Sequence, residues 1–282
     1  MPVPREVTLS TGVRRGLERI HNDRTHGATF LASRALGIIR AAAEEWALLR
    51  DRSVPVLLRA LARELRRTQS AMGPFVRWSD ELYELARGRP ETQVLASLQR
   101  WLRGWEPRIR RELPLVVAHA VRYFPPRSSV LTISSSEAVF SVLAALPPRS
   151  RPRQVRVLKS EPGGEGAGQW RRLRARGLRS ALVPDAASTE ALRGSTLVLI
   201  GADSIFRSGA TVHKVGTREL ARTARRLQIP VISITGRSKI VNRRPPRSAQ
   251  LPRLFDLTPG TWINEFWTDT GRYRPDQIAR FA

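Results

Sequence analysis

Beyond Pro125–Pro126, short runs of β-branched and apolar residues alternate with stretches of helical spacing. That alternation restricts the fold more than any other feature of the chain. Ser129–Ile133, Val155–Leu158, Ala181–Val183, Leu197–Ile200 and Val231–Ile234 read as strands, and Glu137–Leu146, Ala167–Arg176, Ser188–Leu192 and Thr217–Leu227 as the helices between them. A helix after each strand carries the chain back across the sheet, so successive strands run parallel. The expected fold class is α/β: a Rossmann-like parallel sheet with helices on both faces and right-handed crossovers.

The residues ahead of Pro125 have a different texture. Leu17 and Ile20, then Ala28, Leu31, Ala35, Ile38 and Ile39, keep helical apolar spacing, as do Val56, Leu57, Ala60, Leu61 and Leu65. Glu81–Arg87 and Thr92–Trp105 add helices, and Pro107 and Pro114 punctuate a last linking helix, Arg108–Tyr123. Breaks at Ser53–Pro55, Gly73–Pro74 and Gly88–Pro90 separate the pieces. Two domains are expected: a helical one over 1–124 and the Rossmann-like one over 125–282.

No run reaches the ~18 apolar residues of a membrane span, and MPVPREVTLS has no apolar signal core. A cytoplasmic protein without membrane partners is expected. The absence of cysteine excludes disulfides, thiolate metal sites and a thiol nucleophile. The four histidines show no metal-ligand spacing, so neither metal nor cofactor is expected. A formal charge of +25 attracts phosphate-bearing partners, RNA or the ribosome included. The arginines that supply it are scattered over RRGLER, RELRR and RRLRARGLR, as on solvated helix faces or under a compositional bias, so charge alone decides nothing.

Ligands of an open parallel sheet bind at the carboxyl ends of its strands. After the first strand comes Ser134–Ser135–Ser136, whose hydroxyls and free N–H groups suit a phosphate; Ser136 before Glu137 is equally an ordinary helix cap. After the second comes the Gly-rich turn Lys159–Gly166, which matches neither a Walker loop nor a dinucleotide fingerprint and reads as well as a plain loop. After the fourth comes Asp203, a candidate acid, base or hydrogen-bond anchor, or else a turn cap. His213 and Lys214 follow, ahead of a helix start where an anion would sit. Lys239 lies after the fifth strand. The chain has only three lysines among 49 lysine and arginine residues, and two of them, Lys214 and Lys239, follow strand ends and face the expected pocket.

Several of these segments carry a family likeness. GADSIFRSGATVHKVGTRELARTA resembles the signature of the translation initiation factor 2B α, β and δ subunits, of ribose-1,5-bisphosphate isomerase and of methylthioribose-1-phosphate isomerase. LTISSSEAVFSVL, KSEPGGEG and FDLTPGTWINEFWTDTGRYRPDQI resemble other segments of that family, as do NDRTHGATFLASRAL and QSAMGP in the helical half. The resemblance implies the initiation factor 2B/isomerase fold, and an isomerase chemistry in which a cysteine is the base and an aspartate the acid. Asp203 falls on the aspartate and Ser134 on the cysteine. Lys214 and Lys239 fall on substrate-contacting lysines, and Gly27 and Ala28 on the phosphate-gripping loop.

The chain also departs from that pattern. Ser134 gives no thiolate and needs its own base. His26 and Gln69 replace arginines, and His213 replaces an asparagine. Lys159 and Glu161 stand where the family has Glu and, in the bisphosphate isomerase, Arg.

The resemblance therefore implies a sugar-phosphate- or nucleotide-binding regulatory protein, with the ligand in an interdomain cleft and the isomerase chemistry lost. One alternative is an aldose–ketose isomerase of a phosphorylated pentose working through Asp203, with His213 and Ser134 as a rebuilt base. Another is an RNA- or ribosome-associated basic protein. A homodimer or higher homo-oligomer is expected by the same likeness.

Overall fold

The computed structural model describes residues 8–23, 26–48, 53–87 and 90–281, leaving aside the side chains of 91 and 92. Arg24 and Thr25 of the loop before Gly27, and Gly88 of the third break, lie outside those residues. The chain forms two compact units, Met1–Arg110 and Arg111–Ala282.

The first unit contains α1 (Thr11–Asn22), α2 (Ala28–Trp46), α3 (Val54–Thr68), α4 (Gly73–Leu85) and the start of α5 (Glu91–Tyr123). Ser10 caps α1, its Oγ accepting from the Val13 N–H at 3.4 Å. Pro55 and Pro74 sit in the first turns of α3 and α4, where the missing N–H costs nothing. The helix expected over Glu81–Arg87 therefore starts earlier, because Gly73–Pro74 opens α4. Leu57, Leu58, Leu61 and Leu65 make the buried face of α3. Trp78 packs edge-on against Trp105, and the Glu81 carboxylate accepts from the indole N–H of both Trp101 and Trp105.

Helix α5 is one element of 33 residues, not the two separate helices expected around Pro107 and Pro114. Each proline removes one helical donor and crowds the preceding turn. Ile109, Val116 and Ala120 are buried at helical spacing and hold the helix through both positions.

In the second unit β1 (Ser129–Ile133), α6 (Glu137–Ala145), β2 (Gln154–Leu158), α7 (Glu165–Ala175), β3 (Ser180–Val183), α8 (Ser188–Arg193) and β4 (Leu197–Ile200) follow the expected order. Then come β5 (Ser204–Phe206), β6 (Thr211–Lys214), α9 (Thr217–Arg226), β7 (Val231–Ile234), β8 (Ile240–Val241), β9 (Phe255–Thr258), β10 (Glu265–Thr268) and β11 (Gly271–Tyr273). The main sheet has the order β11-β10-β7-β4-β1-β2-β3. All its pairs are parallel except β10 with β11.

Alternate residues of the central strands point to opposite faces, and both faces are covered. Val130, Leu199 and Ile232 pack with Val139, Leu143 and Leu173 of α6 and α7 and with Val116 and Ala120 of α5. Leu131, Val198 and Val231 pack with Leu192, Leu220 and Ala224 of α8 and α9. The chain leaves β1 toward β2 on one side and leaves β4 toward β7 on the other, so the crevice of the sheet opens between the ends of β1 and β4.

A second sheet, β8-β5-β6-β9, forms beyond that end. It was not expected, because its strands run for only two to four residues and carry no readable period. Asp203 immediately precedes β5, His213 and Lys214 end β6, and Lys239 precedes β8.

Candidate functional site

Gly201 is the hub of the crevice. Its carbonyl accepts from His213 Nδ1–H at 2.7 Å and from Ser233 Oγ–H at 3.4 Å. A β-carbon on Gly201 would lie 2.5 Å from Ser136 Oγ, so only glycine lets the β1–α6 loop come this close. Two residues on, the Asp203 N–H donates to the Val212 carbonyl at 2.9 Å and fixes Asp203 to the β5–β6 hairpin. Asp203 is half-buried as a residue, while protein surrounds its carboxyl. Burial pushes the carboxyl up to about 6, against the pull of the Lys239 ammonium.

Lys239 ends a short helical turn, Arg237–Lys239, that follows β7. Only 6% of its surface is exposed. Burial lowers the pKa of its ammonium; Asp203 and Glu112 work the other way.

Glu112 was missed by sequence reading. It stands on the buried stripe of α5, at the spacing of Ile109 and Val116, and is itself buried. Its Oε1 accepts from the Ser238 N–H and its Oε2 from the Ser238 hydroxyl, each at 2.7 Å. Burial raises its carboxyl above the ordinary value, and the Ser238 hydrogen bonds oppose that. A charged residue at a core position of an amphipathic helix was the signal that could have found it.

A carbonyl oxygen only accepts, so the bond from His213 to Gly201 places the imidazole proton on Nδ1 and leaves Nε2 an acceptor. Nε2 is buried without a partner. Burial, with Lys239 adding to it, pushes the ring down to about 4, so His213 is neutral near pH 7. Nε2 accepts no hydrogen bond from the Ser134 hydroxyl, so the expected Ser134–His213 pair is not formed.

Ser134 adopts a left-handed backbone, φ 65°, and donates its N–H to Ser160 Oγ at 2.6 Å. Asp185 in turn accepts from the Ser160 and Glu161 N–H groups at 2.8 and 2.7 Å and pins the Gly-rich turn beside β1. Ser135 Oγ–H donates to Gln169 Oε1 at 3.5 Å, and Gln169 Nε2–H to the Ser136 carbonyl at 3.3 Å. Ser136 caps α6, accepting from the Val139 N–H. Ser160, Gln169 and Asp185 were also missed; each is an isolated polar residue that takes meaning only from the fold.

The two lysines do not share one partner set. Lys214 donates from Nζ to Glu165 Oε1 at 2.7 Å and to the Pro162 carbonyl, both on the Gly-rich turn. Lys239 stands with Asp203 and Glu112. Lys159 pairs with Glu161 at 2.7 Å on the exposed side of the same turn. Gly27 and Ala28 lie in the first unit, where Gly27 is exposed and precedes α2 while Ala28 is buried in its first turn. His26 stacks on Phe30 and bonds Asp23 Oδ2 at 2.8 Å, and Gln69 Nε2–H donates to the Ile20 carbonyl at 3.0 Å.

The model of the initiation factor 2 subunit family matches residues 24–254. The chain is similar to a putative translation initiation factor eIF-2B subunit 2-like protein of Pyrococcus abyssi, 26% identical over 272 residues that cover 90% of this chain and 94% of that one. It is similar to the ribose 1,5-bisphosphate isomerase of Archaeoglobus fulgidus, 24% identical over 170 residues that cover 52% of this chain and 54% of the relative. Among solved structures it resembles the Pyrococcus horikoshii OT3 translation initiation factor eIF-2B, with a TM-score of 0.79, 23% identity and 95% and 99% of the two chains covered. It also resembles a chain of the tetrameric eIF2B-beta2-delta2 complex from C. thermophilum, with a TM-score of 0.78, 15% identity and 95% and 92% covered. At these identities the likeness to solved structures is one of fold.

Proposed function

This chain belongs to the initiation factor 2 subunit family, and from that premise we propose that it binds a phosphorylated sugar or a nucleotide as a regulatory member that has given up isomerase chemistry. The observation that carries the reading is the buried Lys239 ammonium beside an Asp203 carboxyl that titrates near 6, at the carboxyl end of a parallel sheet. A buried cation attracts a phosphate oxygen strongly, because little water screens it. An acid with a raised pKa is half in its hydrogen-bond-donating form near pH 6, and so suits a sugar oxygen.

Isomerisation of a phosphorylated sugar also needs a base that removes a proton from carbon. Ser134 ionises far above neutral pH, and the one imidazole of the crevice, His213, has its proton fixed on Nδ1, its pKa near 4 and no bond to Ser134. These features favour binding over turnover. The second reading, an aldose–ketose isomerase, keeps one specific support: Asp203 retains the pKa of a usable acid. Association into a homodimer or higher oligomer belongs to the same proposal and draws on the structural neighbour from C. thermophilum, a chain of a tetrameric eIF2B-beta2-delta2 complex.

The test is a panel of pentose 1-phosphates, ribose 1,5-bisphosphate and nucleoside monophosphates, assayed for binding by calorimetry and for aldose–ketose conversion in deuterated water. Binding without carbon-bound deuterium is the expected result. Loss of one charged hydrogen bond costs about 1.5–3 kcal/mol, so Lys239→Ala should weaken binding on the order of 10- to 150-fold. Deuterium incorporation that disappears in Asp203→Asn would establish the isomerase instead.

A further inference from the structure

We propose that Glu112 is a positioning residue for this site: it clamps the turn from Gly236 to Lys239 through Ser238 and so fixes where the Lys239 ammonium stands beside Asp203. The proposal rests on the reading of Lys239 and Asp203 as the anion-binding pair, and extends it to a residue 127 positions earlier in the chain than Lys239 (roughly half its length), on a different element.

Three observations support it independently. Ser238, the neighbour of Lys239, gives Glu112 both its backbone N–H and its hydroxyl at 2.7 Å, a two-point contact that leaves the turn little freedom. Gly236 is bare where the carboxylate lies against it: a β-carbon there would stand 1.9 Å from Glu112 Cδ. Glu112 is also buried on the apolar stripe of α5, where an unpaired charge is costly and a structural helix needs none. A carboxylate at such a position has a partner to serve: of the charges that act on it, Asp269 opposes its ionisation and Lys239 favours it.

The groups that face Lys239 come from three directions. Asp203 stands before β5, His213 lies on β6 and Glu112 on α5. Asp269, after β10, faces Glu112 and is itself held by Arg237, which donates its N–H to Oδ1 at 2.9 Å and Nε–H to Oδ2 at 3.1 Å. Arg237 thus holds the turn at its other end. The negative charges of Asp203 and Glu112 both keep the ammonium protonated against its burial. Removing the charge of Glu112 while keeping its shape should release the proton of Lys239 at lower pH.

The chain's composition makes this measurable. With three lysines, 13C-lysine labelling gives three side-chain Cε signals, assigned by replacing Lys159, Lys214 and Lys239 with arginine one at a time. In the full chain carrying Glu112→Gln, the titration midpoint of Lys239 should move down while those of Lys159 and Lys214 hold. Ser238→Ala removes one of the two bonds that hold the turn on the carboxylate, so Lys239 is held less closely to Glu112 and Asp203; it should move the Lys239 midpoint the same way, by less. Ser238→Ala also serves if Glu112→Gln does not fold. An unchanged Lys239 midpoint in both variants, or in Ser238→Ala alone if only that one folds, would overturn the proposal and leave Glu112 as packing. Ribose 1-phosphate is the probe for the consequence: its alkaline loss of binding should begin at lower pH in Glu112→Gln. If the unmodified chain binds no sugar phosphate, the functional reading fails, while the lysine titration still judges Glu112.

Discussion

Asp203 and His213 are driven in opposite directions by the same cause. Burial disfavours charge, so the carboxyl is pushed up to about 6 and the imidazole down to about 4. For Asp203 the folded value lies above the unfolded one, so the folded state takes up a proton first, and stability contributed by Asp203 rises as pH falls from 6 toward 3.8. For His213 the folded value lies below the unfolded one, so stability is present above 6.5 and is lost as pH falls toward 4. Between about pH 4 and 6 the two oppose each other. Asp203→Asn removes the compensating half. Urea unfolding at pH 7 and pH 5 should therefore show a larger acid loss of stability in Asp203→Asn than in the unmodified chain, and equal losses would contradict this balance. Asp256 behaves as a structural group by contrast. It accepts from the Gly216 and Arg218 N–H groups at 2.8 and 3.0 Å, capping α9 from a distant strand. Asp256→Ala should cost about 0.5–2 kcal/mol in chemical denaturation, the usual worth of a helix cap.

At the scale of elements, the five main strands were legible because each is a run of β-branched or apolar residues bounded by turn residues. The β5–β6 hairpin, β8 and β9 were not, because a strand of two to four residues holds too few alternations to stand out. Asp203, His213, Lys214 and Lys239 could be placed near strand ends from sequence, but their division into two sets depended on that hidden second sheet. Glu112 was hidden for another reason: its partner Ser238 is 126 residues away, and nothing local announces the contact.

The prolines of α5 misled because local chemistry opposes a helix there and packing overrides it. Pro114 is exposed, so Pro114→Ala restores a helical donor without disturbing the core. It should stabilise the chain by roughly 1–3 kcal/mol, read as a higher Tm. Gly166→Ala should do the reverse. A β-carbon there would meet the Leu158 carbonyl oxygen at 1.9 Å, a backbone atom that cannot swing aside, and overpacking of this kind costs about 1–3 kcal/mol.

Across the whole molecule the charge of +25 and the site make separable claims. Polyanions such as RNA bind a scattered basic surface through counterion release, with affinity that falls steeply as salt rises and with little dependence on any one residue. A buried pair such as Lys239 and Asp203 is screened far less by salt. The family joins proteins named for translation initiation with proteins named for sugar-phosphate isomerisation, and this chain matches relatives of both names over nearly their full length. Among the described residues no group of three or more histidine, aspartate or glutamate side chains could hold a metal ion. The most direct measurement is a titration of the 13C-lysine-labelled chain with ribose 1-phosphate and, separately, a nucleoside monophosphate, at near-physiological salt. The expected result is a saturable shift of the Lys239 signal by one of these probes, abolished in Asp203→Asn or strongly weakened, with the probe recovered unchanged. A Lys239 signal that neither probe moves, or a probe recovered as its ketose, would contradict the account.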